Sequence, residues 1–335
     1  MNLAIKYQQQ LLEKAQYLYR ERPISEAVQQ AYLATPRHLF LNRYRNWGVR
    51  EWQEVDRENL AEHLATIYTD KPLILFGEDD DNIPSTISQP SFVMEMLDLL
   101  QIQPGQTIFE LGAGSGWNAA LMGNLVGLSG HVYSLKIIPE VARMAMETIK
   151  MLGIENVSII NADGGEGHGT DIQYDRAIFT AGAYDIPHYF YSQIKQDGLL
   201  LIVIKNQGGG DNLFLLKKTD NYFESLDSRA CGFVQLKGRY QLDSLEPINI
   251  ENLPEWVELQ KQEVSRRAFW WGGNGKDAFQ WYTMGIRNFL SISEPSFRAF
   301  KTEKKTPKSR EYLYFGLWQQ AQHSLVIAQN DLLIT

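Results

Sequence analysis

One cysteine, Cys231, stands in a chain of 335 residues. A single thiol cannot close an intrachain disulfide or build a thiolate-only metal cage. The histidines (His38, His63, His131, His168, His188 and His323) are scattered without an i, i+4 pair, so no metal is expected. No apolar run approaches the length that spans a bilayer. The opening MNLAIKYQQQLLEKAQ has neither an apolar signal core nor a small-residue cleavage site. A cytoplasmic protein with no membrane partner is the expectation. Positive charge is short as well: 32 basic against 40 acidic residues gives a formal net charge of -8. That balance argues against a nucleic-acid partner held by bulk electrostatics.

What remains is an ordinary globular composition, 44% hydrophobic and 21% charged, long enough to bury a sizeable core. Helical spacing of Ile5, Leu11, Leu12, Ala15 and Leu18 predicts a helix from Leu3 to about Arg22. A second follows from Ile24 to Ala34, bounded by Pro23 and Pro36. From Arg43 to Asp81 the chain reads as irregular. It ends in the acids Glu78, Asp79, Asp80 and Asp81, which lack the alternating ligands and central Gly of a calcium loop.

From Thr107 strands and helices alternate. Strands are expected at Thr107–Leu111, His131–Leu135, Val157–Ile160, Arg176–Thr180 and Leu199–Ile204, with helices at Trp117–Val126 and Pro139–Leu152. This alternation predicts an α/β, doubly wound, mostly parallel sheet. Further strands are expected at Asn212–Leu216 and Gly232–Leu236, followed by a small C-terminal accessory region. The expected division is 1–84, an N-terminal helical and loop segment; 85–240, the ligand-binding domain; and 241–335, the accessory region.

The first βα turn reads Glu110-Leu-Gly112-Ala-Gly114-Ser-Gly116. Glycines suit a tight turn that a ligand approaches closely, and helix-terminal amides then face that ligand. A dinucleotide fingerprint, G-x-G-x-x-G, would place its third glycine at Trp117. Instead the spacing is G-x-G-x-G with an acid two residues ahead. This resembles the loop of S-adenosyl-L-methionine-dependent methyltransferases.

Around the loop lie Ser85-Thr-Ile-Ser88-Gln-Pro90, Asn161-Ala-Asp163-Gly164, Tyr174-Asp-Arg-Ala-Ile-Phe-Thr180-Ala-Gly-Ala183, Ile186-Pro187 and Gly232-Phe-Val-Gln-Leu236. In this order they resemble the protein-L-isoaspartate (D-aspartate) O-methyltransferase family from about Thr35 to Gly238. On spacing alone Ser88 reads as the cap of a Pro-led helix. The resemblance implies instead that Ser88 is the catalytic serine beside the reacting carboxylate, with Thr86, Ile87 and Ala183 also on the substrate side. It implies that Glu110, Gly112, Gly114, Gly116, Lys136, Asp163, Gly164 and Thr180 bind the cofactor, S-adenosyl-L-methionine. The reaction implied is carboxyl methylation of a peptide or protein partner, above all of L-isoaspartyl residues in protein repair. A methyltransferase dedicated to one partner peptide, or a binding module with weakened turnover, stands as the alternative. Monomer and homodimer remain open.

Two positions depart from the family pattern. Lys136 stands where the family has an acid for the ribose hydroxyls, and an ammonium donates but cannot accept. Ile202-Val-Ile-Lys205 stands where the family has a Pro-Val-Gly turn. The chain also continues for almost a hundred residues beyond compact family members. That extension carries Phe269, Trp270, Trp271, Trp281 and Tyr282 near Arg266 and Arg267. A basic run follows: Lys301, Lys304, Lys305, Lys308 and Arg310. The expectation is an accessory core with an exposed basic loop; a peptide-gripping surface is the sharper alternative.

Overall fold

Short apolar runs separated by glycine turns build a seven-stranded sheet in this computed structural model. It describes residues 3–77, 85–206, 211–241, 247–261, 266–268, 289–303, 313–329 and 332–334. The strands are β1 (Thr107–Leu111), β2 (His131–Leu135), β3 (Val157–Ile160), β4 (Tyr174–Phe179), β5 (Ile194–Ile204), β6 (Asp211–Lys218) and β7 (Phe223–Cys231). Their order is β7-β6-β5-β4-β1-β2-β3. The pairs β1–β2, β1–β4, β2–β3 and β4–β5 are parallel. The chain therefore winds outward from β1 to β3, then returns to the other side of β1 with β4. Between β1 and β4 the winding reverses, and ligands of open α/β sheets bind beyond the carboxyl ends of strands at such a point.

The first six α-helices along the chain are α1 (Leu3–Leu18), α2 (Glu26–Ala34), α3 (Leu60–Ile67), α4 (Pro90–Leu100), α5 (Trp117–Val126) and α6 (Pro139–Met151). α5 is buried almost all round, from Trp117 to Val126. α6 buries only Val141, Ala142, Ala145 and Ile149, the one-sided stripe of a helix lying on a sheet. Phe190 anchors one core face, with its ring 5.0 Å from that of Phe109 and 4.8 Å from that of Phe179, both edge-on. Such pairs contribute roughly 1 kcal/mol each beyond area burial.

Several expectations need correction. α1 ends at Leu18, four residues before Arg22. The stretch read as irregular holds α3 and an antiparallel pair, Arg43–Tyr44 with Gln53–Glu54. It also holds the strand Leu73–Phe76, paired with Ser85–Ile87. Strands of two to four residues are too short for periodicity to register. Gly232–Leu236 is not a strand; it makes a single bridge from Gln235 to Gly182. The edge strand is β7, FESLDSRAC, whose residues are exposed or half-buried and so carry no apolar signal. The acids at 78–81 lie outside the described residues.

The chain separates into two compact units. The first comprises Met1–Ile204, Leu213–Arg229 and Phe233–Gln241; the second comprises Lys205–Asn212, Ala230–Gly232 and Leu242–Thr335. The second unit holds a six-stranded sheet. Its strands, in spatial order, are Ile248–Asn249, Phe297–Lys301, Leu313–Gln319, Ser324–Gln329, Leu332–Ile334 and Arg266–Ala268. Its core gathers Ile250, Leu253, Leu259, Phe300, Leu325 and Ile327. The aromatics at 269–271, 281 and 282 and the basic residues at 304, 305, 308 and 310 lie outside the described residues. Among the described residues no helix is long and apolar enough to cross a membrane.

Candidate active site

A cleft opens in the first unit at the carboxyl ends of β1 and β4. Its floor is the turn after β1. Gly112, Gly114 and Gly116 all have left-handed φ, at 107°, 52° and 84°, where L side chains are strained. A Cβ on Gly112 would overlap Thr180 Oγ1, and one on Gly114 would lie 3.0 Å from the Thr86 carbonyl. The turn is thus pressed between β4 on one side and the Thr86–Ser88 segment on the other. Thr180 Oγ1 donates to the Gly112 carbonyl at 2.7 Å and locks the turn to β4. The amides of Gly112 and Ala113 both donate to Leu135 O, at 2.9 and 3.1 Å. Those of Gly114 and Ser115 meet no acceptor among the described residues, and both residues line the cleft.

Glu110 supplies the charge. It is fully buried at the end of β1. It accepts from Asn118 Nδ2 at 2.7 Å and from Ser134 Oγ at 2.5 Å. Burial raises its pKa, opposed by Ser134, Asn118 and the nearby Lys136 charge. Lys136, 8% exposed, has its own pKa lowered to about 8 by burial, with Glu110 pulling the other way. The Asn118 Oδ1 and Ser85 Oγ atoms are buried without a hydrogen-bond partner, and both residues line the cleft. Buried polar atoms rarely go unmet. A carboxylate with an orphaned amide oxygen beside it is an acceptor set suited to an ammonium or sulfonium and hostile to a pyrophosphate.

Opposite the turn runs Ser85-Thr-Ile-Ser88. The N-cap of α4 is Gln89. The role that a capping serine would fill falls to Asp70, which accepts from Ser91 N at 3.0 Å and from Ser91 Oγ at 2.9 Å. The Ser88 hydroxyl has no protein partner among the described residues, and Ser88 lines the cleft.

Of the residues expected in the site, Thr86, Ile87, Ser88, Glu110, Gly112, Gly114, Lys136, Gly164 and Thr180 come together around this cleft. Gly116, Asp163 and Ala183 do not line it. Gly116 caps α5, and its missing side chain faces Ala145 and Ile149 of α6. Ala183 is buried, its amide donating to Val203 O at 2.9 Å. Asp163 accepts from Gly165 N at 2.9 Å and Arg239 N at 2.8 Å, fastening one loop to another. Asn118, Ser85, Gln235 and Lys237 also line the cleft, and sequence reasoning misses them. Asn118 lies eight residues after Glu110, as the second residue of α5.

The family described as Protein-L-isoaspartate(D-aspartate) O-methyltransferase (PCMT) matches residues 8–241. Protein-L-isoaspartate O-methyltransferase 1 of Archaeoglobus fulgidus is 34% identical over 234 residues, 69% of this chain and 95% of the relative. A solved structure of a protein-L-isoaspartate O-methyltransferase shares the fold, with a TM-score of 0.58 at 21% identity, covering 96% of this chain and 86% of that one. A Plasmodium falciparum beta-aspartate methyltransferase, solved in complex with S-adenosyl-L-homocysteine, has a TM-score of 0.52 at 20% identity. It covers 68% of this chain and 97% of its own.

Proposed function

The chain belongs to the protein-L-isoaspartate(D-aspartate) O-methyltransferase family, and from that premise we propose that it methylates the free carboxylate of L-isoaspartyl residues in peptides or proteins, as a repair enzyme. The observation that carries this reading is the meeting, in one cleft, of a buried carboxylate, a glycine turn with spare amides, and Ser88 with its hydroxyl free of protein partners among the described residues. S-adenosyl-L-methionine, when bound, supplies a methyl group on a sulfonium. Glu110 and Asn118 offer acceptors to the ammonium of its methionine end, and Gly112 and Gly114 allow close approach. Gly164 packs closely on β1, where a Cβ would lie 2.7 Å from Leu111 Cγ.

A carboxylate is ionised at neutral pH, with an ordinary pKa of about 4, so it attacks without a general base. The task left to the protein is alignment and exclusion of water. Ser88 donates a hydrogen bond that turns one carboxylate oxygen toward the cofactor side of the cleft. The serine oxygen itself stays unalkylated.

Two peptides of one sequence, differing only in an isoaspartyl or a normal aspartyl link, test the proposal. The purified protein is expected to place a base-labile methyl ester on the isoaspartyl form alone. Equal labelling of both, or of neither, rejects the repair reading; in the second case a dedicated partner peptide becomes the reading to pursue.

Lys136 favours a weaker grip on the cofactor than an acid at that position would give. It puts positive charge beside a seat for a cation and offers the ribose no acceptor. Lys136→Gln removes the charge and supplies an amide oxygen. S-adenosyl-L-methionine should then bind about five- to tenfold more tightly by calorimetry, the worth of roughly one hydrogen bond. Unchanged or weaker binding would show that Lys136 does not limit affinity.

A further inference from the structure

Arg37 has no exposed surface, and all of its hydrogen bonds among the described residues go to main-chain carbonyls. Nη2 donates to Lys71 O at 3.0 Å, Ile87 O at 3.2 Å and Ser88 O at 3.0 Å. Nη1 reaches Thr69 O at 3.3 Å and also Ile67 O. Its guanidinium carbon lies 5.6 Å from the Trp117 ring centroid, and Trp117 is the first residue of α5 and part of the cleft wall. Burying a guanidinium is costly unless its donors are met. Here both Nη groups meet carbonyls of two segments, the end of α3 with the turn after it (Ile67, Thr69 and Lys71) and the Ile87–Ser88 pair, while Nε has no partner among the described residues. A planar fork with fixed donor directions sets the orientation of the peptide groups it holds.

The other flank of Ser88 is held as well. Asp70, whose side chain is 3% exposed, binds the amide and hydroxyl of Ser91 and accepts from Gln89 Nε2 at 3.2 Å. Ser88 sits between these two clamps, and its own hydroxyl has no protein contact among the described residues to fix it. The direction of its Cα–Cβ bond follows from its backbone alone. We infer that Arg37 is a positioning residue for Ser88, with Asp70 as its counterpart on the helix side, and that the pair aims the serine hydroxyl into the cleft. The inference rests on the reading of Ser88 as the group that orients the substrate carboxylate.

The test is a double-mutant cycle on the full chain, with Arg37→Lys, Ser88→Ala and the double variant. Lysine keeps the charge but lacks the planar fork. Arg37→Lys is expected to lower kcat on the isoaspartyl peptide about tenfold, while calorimetry still finds one cofactor site per chain with Kd within twofold. In the Ser88→Ala background the same change should cost less than a further twofold. Losses that multiply, or a kcat that falls only with the fraction of chains able to bind cofactor, would overturn the inference and leave Arg37 as a core residue.

A second arm needs no turnover. In hydrogen exchange, amides of 86–91 should exchange at least fivefold faster in Arg37→Lys than in the parent, with 139–151 unchanged. Equal exchange at 86–91 refutes the clamp whatever the substrate proves to be. Should Arg37→Lys not fold, Asp70→Asn is read in the same way, with the same expected pattern and the same refuting one. A parent protein that fails to methylate isoaspartyl peptide counts against the proposed function, and the exchange arm then decides the clamp.

Discussion

Gly112→Val should raise the dissociation constant for S-adenosyl-L-methionine at least a hundredfold. Gly112 sits at φ 107°, a conformation that costs a β-branched residue on the order of 1–3 kcal/mol. Its new Cβ would overlap Thr180 Oγ1. Relief requires Thr180 to rotate or the turn to leave β4; either breaks the Thr180 bond to the Gly112 carbonyl that holds the floor of the cleft. A control separates this from a general intolerance of side chains at such backbone angles. Gly127 has φ 65° and open space where a Cβ would stand, with nothing within 4 Å, and it ends α5 away from the cleft. Gly127→Ala should cost on the order of 1–3 kcal/mol of stability, because φ 65° with ψ -176° is a backbone region left almost entirely to glycine, and should leave cofactor binding within twofold. Calorimetry and thermal melting of the two variants check both statements, and similar binding losses in the two would refute them.

Glu110→Gln should weaken cofactor binding by about thirty- to a hundredfold. The substitution is nearly isosteric and keeps an oxygen for Asn118 or Ser134, so lost packing contributes little. What goes is the negative charge at the buried end of β1, which faces Lys136 as well as the cofactor seat. Hydrogen bonds to a charged group contribute roughly 1.5–3 kcal/mol, and the stated loss corresponds to about 2–3 kcal/mol. Because the contact is assigned to the methionine end, S-adenosyl-L-homocysteine should weaken by the same factor. An effect confined to the sulfonium form would move Glu110's role to the sulfur.

These effects depend on residues that differ in how far the sequence reveals them. β1, β2, β3 and α5 lie where their apolar runs and glycine boundaries place them; β1 and α5 are buried almost throughout, and β2 and β3 bury at least every second residue. The G-x-G-x-G spacing separates a sulfonium nucleoside from a dinucleotide for a physical reason, the acid at 110. Ser88 is different. Its local sequence fits a helix cap equally well, and only the five-residue resemblance favours the other reading. The cap proves to be supplied by Asp70, which lies twenty-one residues from Ser91, a separation no local pattern reports.

Arg37 is illegible for the same reason. Its partners at 67–71 and 87–88 are joined to it only by tertiary packing, and a lone arginine after a proline reads as surface. β7 escapes the pattern because an edge strand with exposed faces need not alternate. Lys136 stands out in the sequence as a departure from the family, but its burial against Glu110 follows only from the fold.

In the proposed function cofactor and carboxylate meet in the cleft between the Gly112–Gly114 turn and the Ser88 segment, and the effects on binding and turnover above depend on that meeting. A crystal structure with S-adenosyl-L-homocysteine and an isoaspartyl peptide measures it directly. The nucleoside is expected over the turn, its amino group toward Glu110, with the peptide carboxylate hydrogen-bonded to Ser88 on the side the sulfur faces. A nucleoside seated elsewhere, or a carboxylate bound on the far side of the Thr86–Ser88 segment, would contradict this.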